Sequence, residues 1–175
     1  MKYLFTFFLL LTVLKISSQE ENGFYYKISL ASTLTINEDF TLGNDEGKTL
    51  INPSALFVNN TLGFKLDEKS NVGLNIEYDW YSKQGLHFLP IYFSFRYNFF
   101  EYEDNVFIRS GYGRLLSINK YFENGTMYKA GIGFEIFDDD YENSTLIGLD
   151  FTRKRFGYRR LEKISSVSIF LEYIF

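Results

Sequence analysis

SSVSIFLEYIF, residues 165–175, sets Val167, Ile169, Leu171, Tyr173 and Phe175 against Ser166, Ser168, Phe170, Glu172 and Ile174. The two-residue period is that of a strand with one apolar face. The stretch ends the chain on an aromatic ring with no polar tail, so that ring needs hydrophobic surroundings.

The same period recurs upstream. Phe24, Tyr26, Ile28 and Leu30 alternate with Tyr25, Lys27, Ser29 and Ala31, and Leu56, Val58, Leu62, Phe64 and Leu66 follow with a break at Asn60. Val72, Leu74, Ile76, Tyr78 and Trp80 oppose Gly73, Asn75, Glu77 and Asp79, a pattern no helix fits. Leu89 to Phe99, Val106 to Leu116, Tyr128 to Ile136 and Thr145 to Arg153 continue it, giving eight strands with the closing one. The connections are a long stretch from Ser32 to Ser54, medium loops at Ser117 to Gly125 and Lys154 to Lys163, and short ones elsewhere, several of them acidic. Strands at this spacing predict an antiparallel sandwich or an up-and-down barrel.

The chain has 175 residues, room for one domain, and one residue in five is aromatic. Leu4 to Leu14 is the only long apolar run, preceded by Lys2 and followed by Lys15, Ser17, Ser18 and Gln19. It predicts a signal peptide over residues 1–19 with cleavage near Gln19, leaving 20–175 as one barrel domain; the run is too short for a spanning helix. Loss of that segment takes the formal charge from −4 to −6, which argues against nonspecific nucleic-acid binding. With no Cys, there is neither a disulfide framework nor a lipidated cysteine, and stability rests on packing and hydrogen bonds.

Alternation does not say which face is inside; volume does. The apolar faces carry more large side chains than an eight-stranded barrel can hold. The opposite faces carry Lys27, Lys65, Glu77, Asp79, Arg96, Arg109, Lys129, Glu135, Asp150 and Glu172, interleaved with Gly63, Gly73, Gly111, Gly113, Gly131, Gly133 and Gly148. Glycines beside long charged side chains suit a narrow polar interior in which five bases and five acids neutralise one another. The fold expected is therefore all-β: an eight-stranded antiparallel transmembrane β-barrel with its apolar face in lipid. Phe24, Tyr97, Phe99, Tyr173 and Phe175 at one end, and Tyr78, Trp80 and Tyr128 at the other, would form two interfacial girdles.

In IFLEYIF (169–175), FIRSGYGRLL (107–116), YKAGIGFEIF (128–137) and LPIYFSFRYNFF (89–100), the mature chain resembles the small outer-membrane β-barrel domain family, the class of OmpA-like and OmpX-like barrels. The resemblance implies residence in the outer membrane of a Gram-negative-type cell, contact with outer-membrane lipid and lipopolysaccharide, a monomer, and a C-terminal strand read by the outer-membrane assembly machinery. It does not imply an activity, since the fold hosts adhesins, structural barrels, small channels and a few lipid-modifying enzymes. No peptidoglycan-binding domain is expected to follow Phe175, unlike the full-length OmpA arrangement.

Candidate chemistry is sparse. His87 is the single histidine, and Ser82 and Asp79 lie near it in sequence; Ser, His and an acid are the ingredients of acyl transfer, but Asp79 falls on the inward face. Asp138, Asp139, Asp140 and Glu142 lack calcium-loop spacing. Arg153, Lys154, Arg155, Arg159, Arg160 and Lys163 form a basic stretch that could pair with lipopolysaccharide phosphates. No metal or cofactor motif appears. The function expected is non-enzymatic, a structural or surface-interaction role through the outer loops. A lipid A-modifying enzyme, a narrow pore and a soluble ligand-binding barrel are the alternatives.

Overall fold

The computed structural model describes residues 23–36, 51–82, 84–101, 104–138, 143–157 and 162–175. The expected signal peptide, the middle of the Ser32 to Ser54 connection, residues 139–142, Arg159 and Arg160 lie outside the described residues. The strands are β1 Phe24–Ile36, β2 Ile51–Lys65, β3 Ser70–Tyr81, β4 in two segments (Leu86–Phe88 and Pro90–Glu101), β5 Asn105–Leu115, β6 Gly125–Phe137, β7 Ser144–Phe156 and β8 Glu162–Ile174.

β4 is one stave. Pro90 follows the break at Leu89, yet Asp79↔Phe88 and Ile76↔Ile91 belong to the same register series along β3. Proline has no N–H to give the ladder, so the break is a missing hydrogen bond and no residue is inserted. Each strand pairs antiparallel with its sequence neighbours, and β8 returns to β1 from Lys27↔Ile174 to Thr35↔Ser166. The sheet is a closed eight-stranded up-and-down barrel with no free edge.

Two boundaries differ from the sequence expectation. β1 runs on to Ile36 and β2 starts at Ile51, so the connection between them is shorter than Ser32 to Ser54. Polar residues such as Ser32 and Thr33 interrupt the apolar period but leave the backbone ladder intact, as strand ends beyond an apolar band allow. β7 likewise continues to Phe156, which takes Arg153, Lys154 and Arg155 out of the expected loop and into a strand.

The faces are disposed as the alternation predicts. Outward positions carry exposed apolar side chains all round the barrel, among them Leu30, Leu62, Ile76, Phe93, Ile132, Leu149 and Leu171. Asn60 is a polar exception, and it accepts a hydrogen bond from the neighbouring Tyr26 hydroxyl at 2.6 Å. At the short-turn end Phe24 packs on Phe64, and Tyr26 and Tyr173 pack on Phe175. At the long-connection end, Tyr112 packs on Tyr128 and Tyr78 on His87. An apolar band between two aromatic girdles is the exterior of a lipid-embedded barrel.

Candidate functional site

The interior holds most of the polar chemistry. Alternation turns one charged residue after another inward, and they meet as a chain of alternating sign. Lys27 Nζ donates to Glu172 Oε2 at 2.6 Å, and Arg109 Nη1 reaches the same oxygen at 2.8 Å. Arg109 also forks onto Asp150 at 2.8 and 2.6 Å, with its guanidinium 3.7 Å from the centre of the Phe170 ring. Lys129 lies 3.8 Å from Asp150 and pairs closely with Glu77, which accepts a further bond from the Tyr92 hydroxyl at 3.1 Å. Bidentate and shared contacts of this kind let buried charges offset their lost hydration. Gly131 makes the space, since a Cβ there would run into the Asp150 carboxylate and the Leu149 carbonyl.

Two further pairs cap the chain. Towards the short turns, Arg96 bonds Glu135 at 3.2 Å, and Asn105 and Ser144 also donate to that carboxylate. Towards the long connections, Lys154 meets Asp79 at 2.9 Å, both wholly buried. The Lys154 ammonium sits within 4.4, 5.2 and 5.6 Å of the ring centres of Phe57, Tyr81 and Phe88, a cation–π enclosure. These rings, with Phe156, Leu115, Met127 and Ile164, plug that end of the lumen.

Five buried bases therefore face five buried acids among the described residues, and the interior is neutral. Nine of the ten sequence-predicted charges are in the network. Lys65 is half-buried near a strand end instead, and Lys154 takes its place. Among the described residues, one cavity in this interior, of about 20 Å³, is lined by Tyr25, Asn75, Tyr92, Arg96, Arg109 and Lys129 among others. That is room for about one water and not for a ligand.

The basic stretch splits three ways. Lys154 is corrected outright: it points into the lumen and cannot meet a surface phosphate. Arg153 and Arg155 occupy outward positions of β7, and Lys163 is Arg155's partner on β8. Arg159 and Arg160 lie outside the described residues. The register adds a residue the sequence reading missed. Arg114, Thr126, Arg155 and Lys163 pair in succession across β5 to β8 and so lie at one level of the outer wall. The next level towards the membrane is Tyr112, Tyr128, Arg153 and Ser165.

His87 and Asp79 are on opposite sides of the wall. His87 Nδ1 lies 2.9 Å from the Tyr78 hydroxyl on the exterior, while Asp79 is inside with Lys154. The β5–β6 connection folds back here, with Phe122 bridged to His87 through the backbone and its ring against both His87 and Tyr78. The ingredients of an acyl-transfer triad at Ser82, His87 and Asp79 are thus not assembled.

No family model matches the chain, and no curated protein matches it in sequence. In structure it superposes on the N-terminal β-barrel domain of Pseudomonas aeruginosa OprF with a TM-score of 0.50 and 13% identity, over 89% of this chain and 98% of that one. The outer membrane enzyme PagL gives 0.49 and 15%, over 82% and 97%. Ail, the attachment invasion locus protein of Yersinia pestis, gives 0.48 and 11%, over 89% and 100%. The likeness to the OprF barrel is one of fold.

Proposed function

We propose that the chain is a non-enzymatic outer-membrane β-barrel with a sealed lumen, serving a structural or surface-interaction role through its long-connection end. The observation that carries this reading is the combination of an apolar exterior with a filled, charge-balanced interior. An exterior of exposed aliphatic and aromatic side chains on every strand far exceeds the patches that soluble monomers tolerate in water. Lipid removes that difficulty, and closure leaves no backbone group unpaired at a sheet edge. The filled lumen argues against a water-filled pore and against a ligand-binding barrel alike. Separation of His87 from Asp79 argues against acyl transfer by those residues.

In this reading residues 1–19 direct export and are removed near Gln19, the short turns face the periplasm, and the long connections face outward. The C-terminal strand engages the assembly machinery, and the barrel stands as a monomer in the outer membrane of a Gram-negative-type cell, without a cofactor. Gel migration with and without boiling, on fractionated cells, tests the placement. A heat-modifiable band in the outer-membrane fraction is expected, and recovery from the soluble periplasm would overturn the reading. In planar bilayers the barrel is expected to give no steady conductance, and lipid A mass is expected to be the same with and without the protein. A reproducible conductance step or a changed lipid A mass would replace the reading with the pore or the enzyme.

A further inference from the structure

We propose that the lumen binds one monatomic anion of halide size, such as chloride, in the cavity lined by Lys27, Arg96, Arg109 and Lys129. The inference goes beyond the proposed function and rests on the geometry of the barrel interior, whichever membrane or surface role the barrel serves.

The sign of the wall carries the argument. Lys27, Arg96, Arg109 and Lys129 are the charged side chains that line this cavity, and all of them are cations. Their carboxylate partners Glu172, Glu135, Asp150 and Glu77 form no part of its wall. Each ion pair therefore turns its positive end to the cavity, and these ends converge on one small space. Register brings them together: Arg96 and Arg109 are directly opposed across β4 and β5, and Gly111 of the same wall is opposed to Lys129 on β6. Like charges opposed across a ladder destabilise it, and among the described residues no carboxylate is shared by Arg96 and Arg109. An anion in the cavity would serve both.

Donors remain once the ion pairs are made. Arg109 uses three of its five N–H groups, two on Asp150 and one on Glu172. Arg96 uses one on Glu135, and two on Asn71 when that amide turns its oxygen to the guanidinium, at 3.3 and 3.1 Å. Lys27 gives one of its three to Glu172. The neutral acceptors of the wall are already engaged. Asn75 Oδ1 accepts from Thr61 at 2.7 Å, Ser94 Oγ from Asn75 at 2.8 Å and the Tyr92 hydroxyl from Lys129 at 3.1 Å. The cavity thus offers an occupant N–H groups backed by positive charge. A halide accepts from all directions and has nothing to donate, whereas water brings two O–H groups that need acceptors of their own.

Size narrows the choice further. A volume of about 20 Å³ excludes any molecular ligand but admits a single body of about the size of water, which a halide is. Phosphate and carboxylate anions are too large, and a metal cation would meet only like charge. Lys27, Asn75, Tyr92 and Arg96 are more than nine-tenths buried, so charge in the cavity interacts more strongly than it would in water.

The test begins with the barrel folded in detergent with sodium bromide as the only halide salt, crystallised, and measured at the bromine absorption edge. An anomalous peak inside the cavity is expected. Urea titrations then compare chloride, bromide and gluconate at one ionic strength, which holds screening constant. The unfolding midpoint is expected to rise as either halide replaces gluconate, because an ion bound only by the folded chain stabilises it by mass action. Lys27→Met and Arg96→Gln should each raise the halide concentration needed for half of that rise roughly tenfold, the worth of one charged hydrogen bond. Glu135 keeps Asn105 and Ser144 as donors in the second variant, and heat-modifiable migration verifies that each variant is folded. Tyr81→Phe, which alters the aromatic plug and not this cavity, is expected to leave the halide response unchanged. A water in the cavity with no anomalous signal, midpoints equal in halide and gluconate, or variants that respond like the parent would each overturn the site. A peak seen only at molar bromide, with no effect on the midpoint, would mean an adventitious ion only and would overturn it equally. Cell fractionation tests the outer-membrane reading separately, so either can fail without the other.

Discussion

Glu172→Leu is expected to unfold this barrel far more readily than its single lost carboxylate suggests. Glu172 is almost wholly buried, and one of its oxygens serves both Lys27 at 2.6 Å and Arg109 at 2.8 Å. Arg109 keeps its fork on Asp150 when Glu172 is gone, whereas no second carboxylate is paired with Lys27 among the described residues. Stranding a buried charge by removing its partner costs about 3–5 kcal/mol. Lys27→Met is milder, since Glu172 still holds Arg109, and loss of one charged hydrogen bond is worth about 1.5–3 kcal/mol. The double variant removes both charges and leaves only one Arg109 N–H without its acceptor, so it should cost about as much as Lys27→Met alone. The resulting coupling energy is about 3 kcal/mol or more. The assay is a urea titration of the barrel folded into lipid vesicles, followed by gel migration and by Trp80 fluorescence. Trp80 is the single tryptophan and sits on the outer wall, away from the network. Additivity of the two substitutions within about 0.5 kcal/mol, or a Glu172→Leu effect below about 1 kcal/mol, would refute the reasoning.

Lys154→Met should destabilise by about 3–5 kcal/mol in the same titration, with most of that regained on adding Asp79→Leu, because the pair is wholly buried. A solvated loop lysine would give a change within about 0.5 kcal/mol, which would overturn its placement in the lumen. The Asp67 carboxylate, in the β2–β3 turn, accepts the Lys69 and Ser70 amides at 2.8 and 2.6 Å, and these backbone bonds hold its pKa below the ordinary aspartate value. Because the folded value is the lower one, the turn's added stability is present above the unfolded pKa and is lost as pH falls through the folded value. Hydrogen exchange at the Lys69 and Ser70 amides should therefore lose protection only at pH below the usual carboxylate range, and a loss already complete near neutrality would contradict this.

The sequence carries the wall more fully than the rim. From Val72 to Trp80 every inward and outward position is legible in the alternation, because one face is uniformly apolar and a shift of one residue would invert it. Lys154 was legible in principle: the inward series Asp150, Thr152 lands on it two residues later. A run of basic residues looks like a loop only when charge is taken as a sign of solvent, and here a partner on β3 makes the interior tolerable. Arg114 was not legible at all. Its neighbours on the wall come from β7 and β8, and their level is set by pairing registers that accumulate across three strands. The same holds for the separation of His87 from Asp79, where parity showed Asp79 inward but not what His87 would meet outside.

The alternating chain of buried charge divides unevenly among the hairpins. Within the five buried pairs, β1–β2 contributes Lys27 alone, a surplus of one positive charge. β3–β4 contributes Glu77, Asp79 and Arg96, a surplus of one negative charge. β5–β6 brings Arg109, Lys129 and Glu135, again one positive, and β7–β8 brings Asp150, Lys154 and Glu172, again one negative. No single hairpin can enter a membrane neutral, and neither can any run of three. Neighbouring hairpins cancel in number, yet every ion pair that bridges hairpins waits for its partner strand. Lys27 and Glu172 meet only when the first strand finds the last. Full pairing of the buried charges is thus reached only on ring closure, because the Lys27–Glu172 pair spans the seam between β1 and β8.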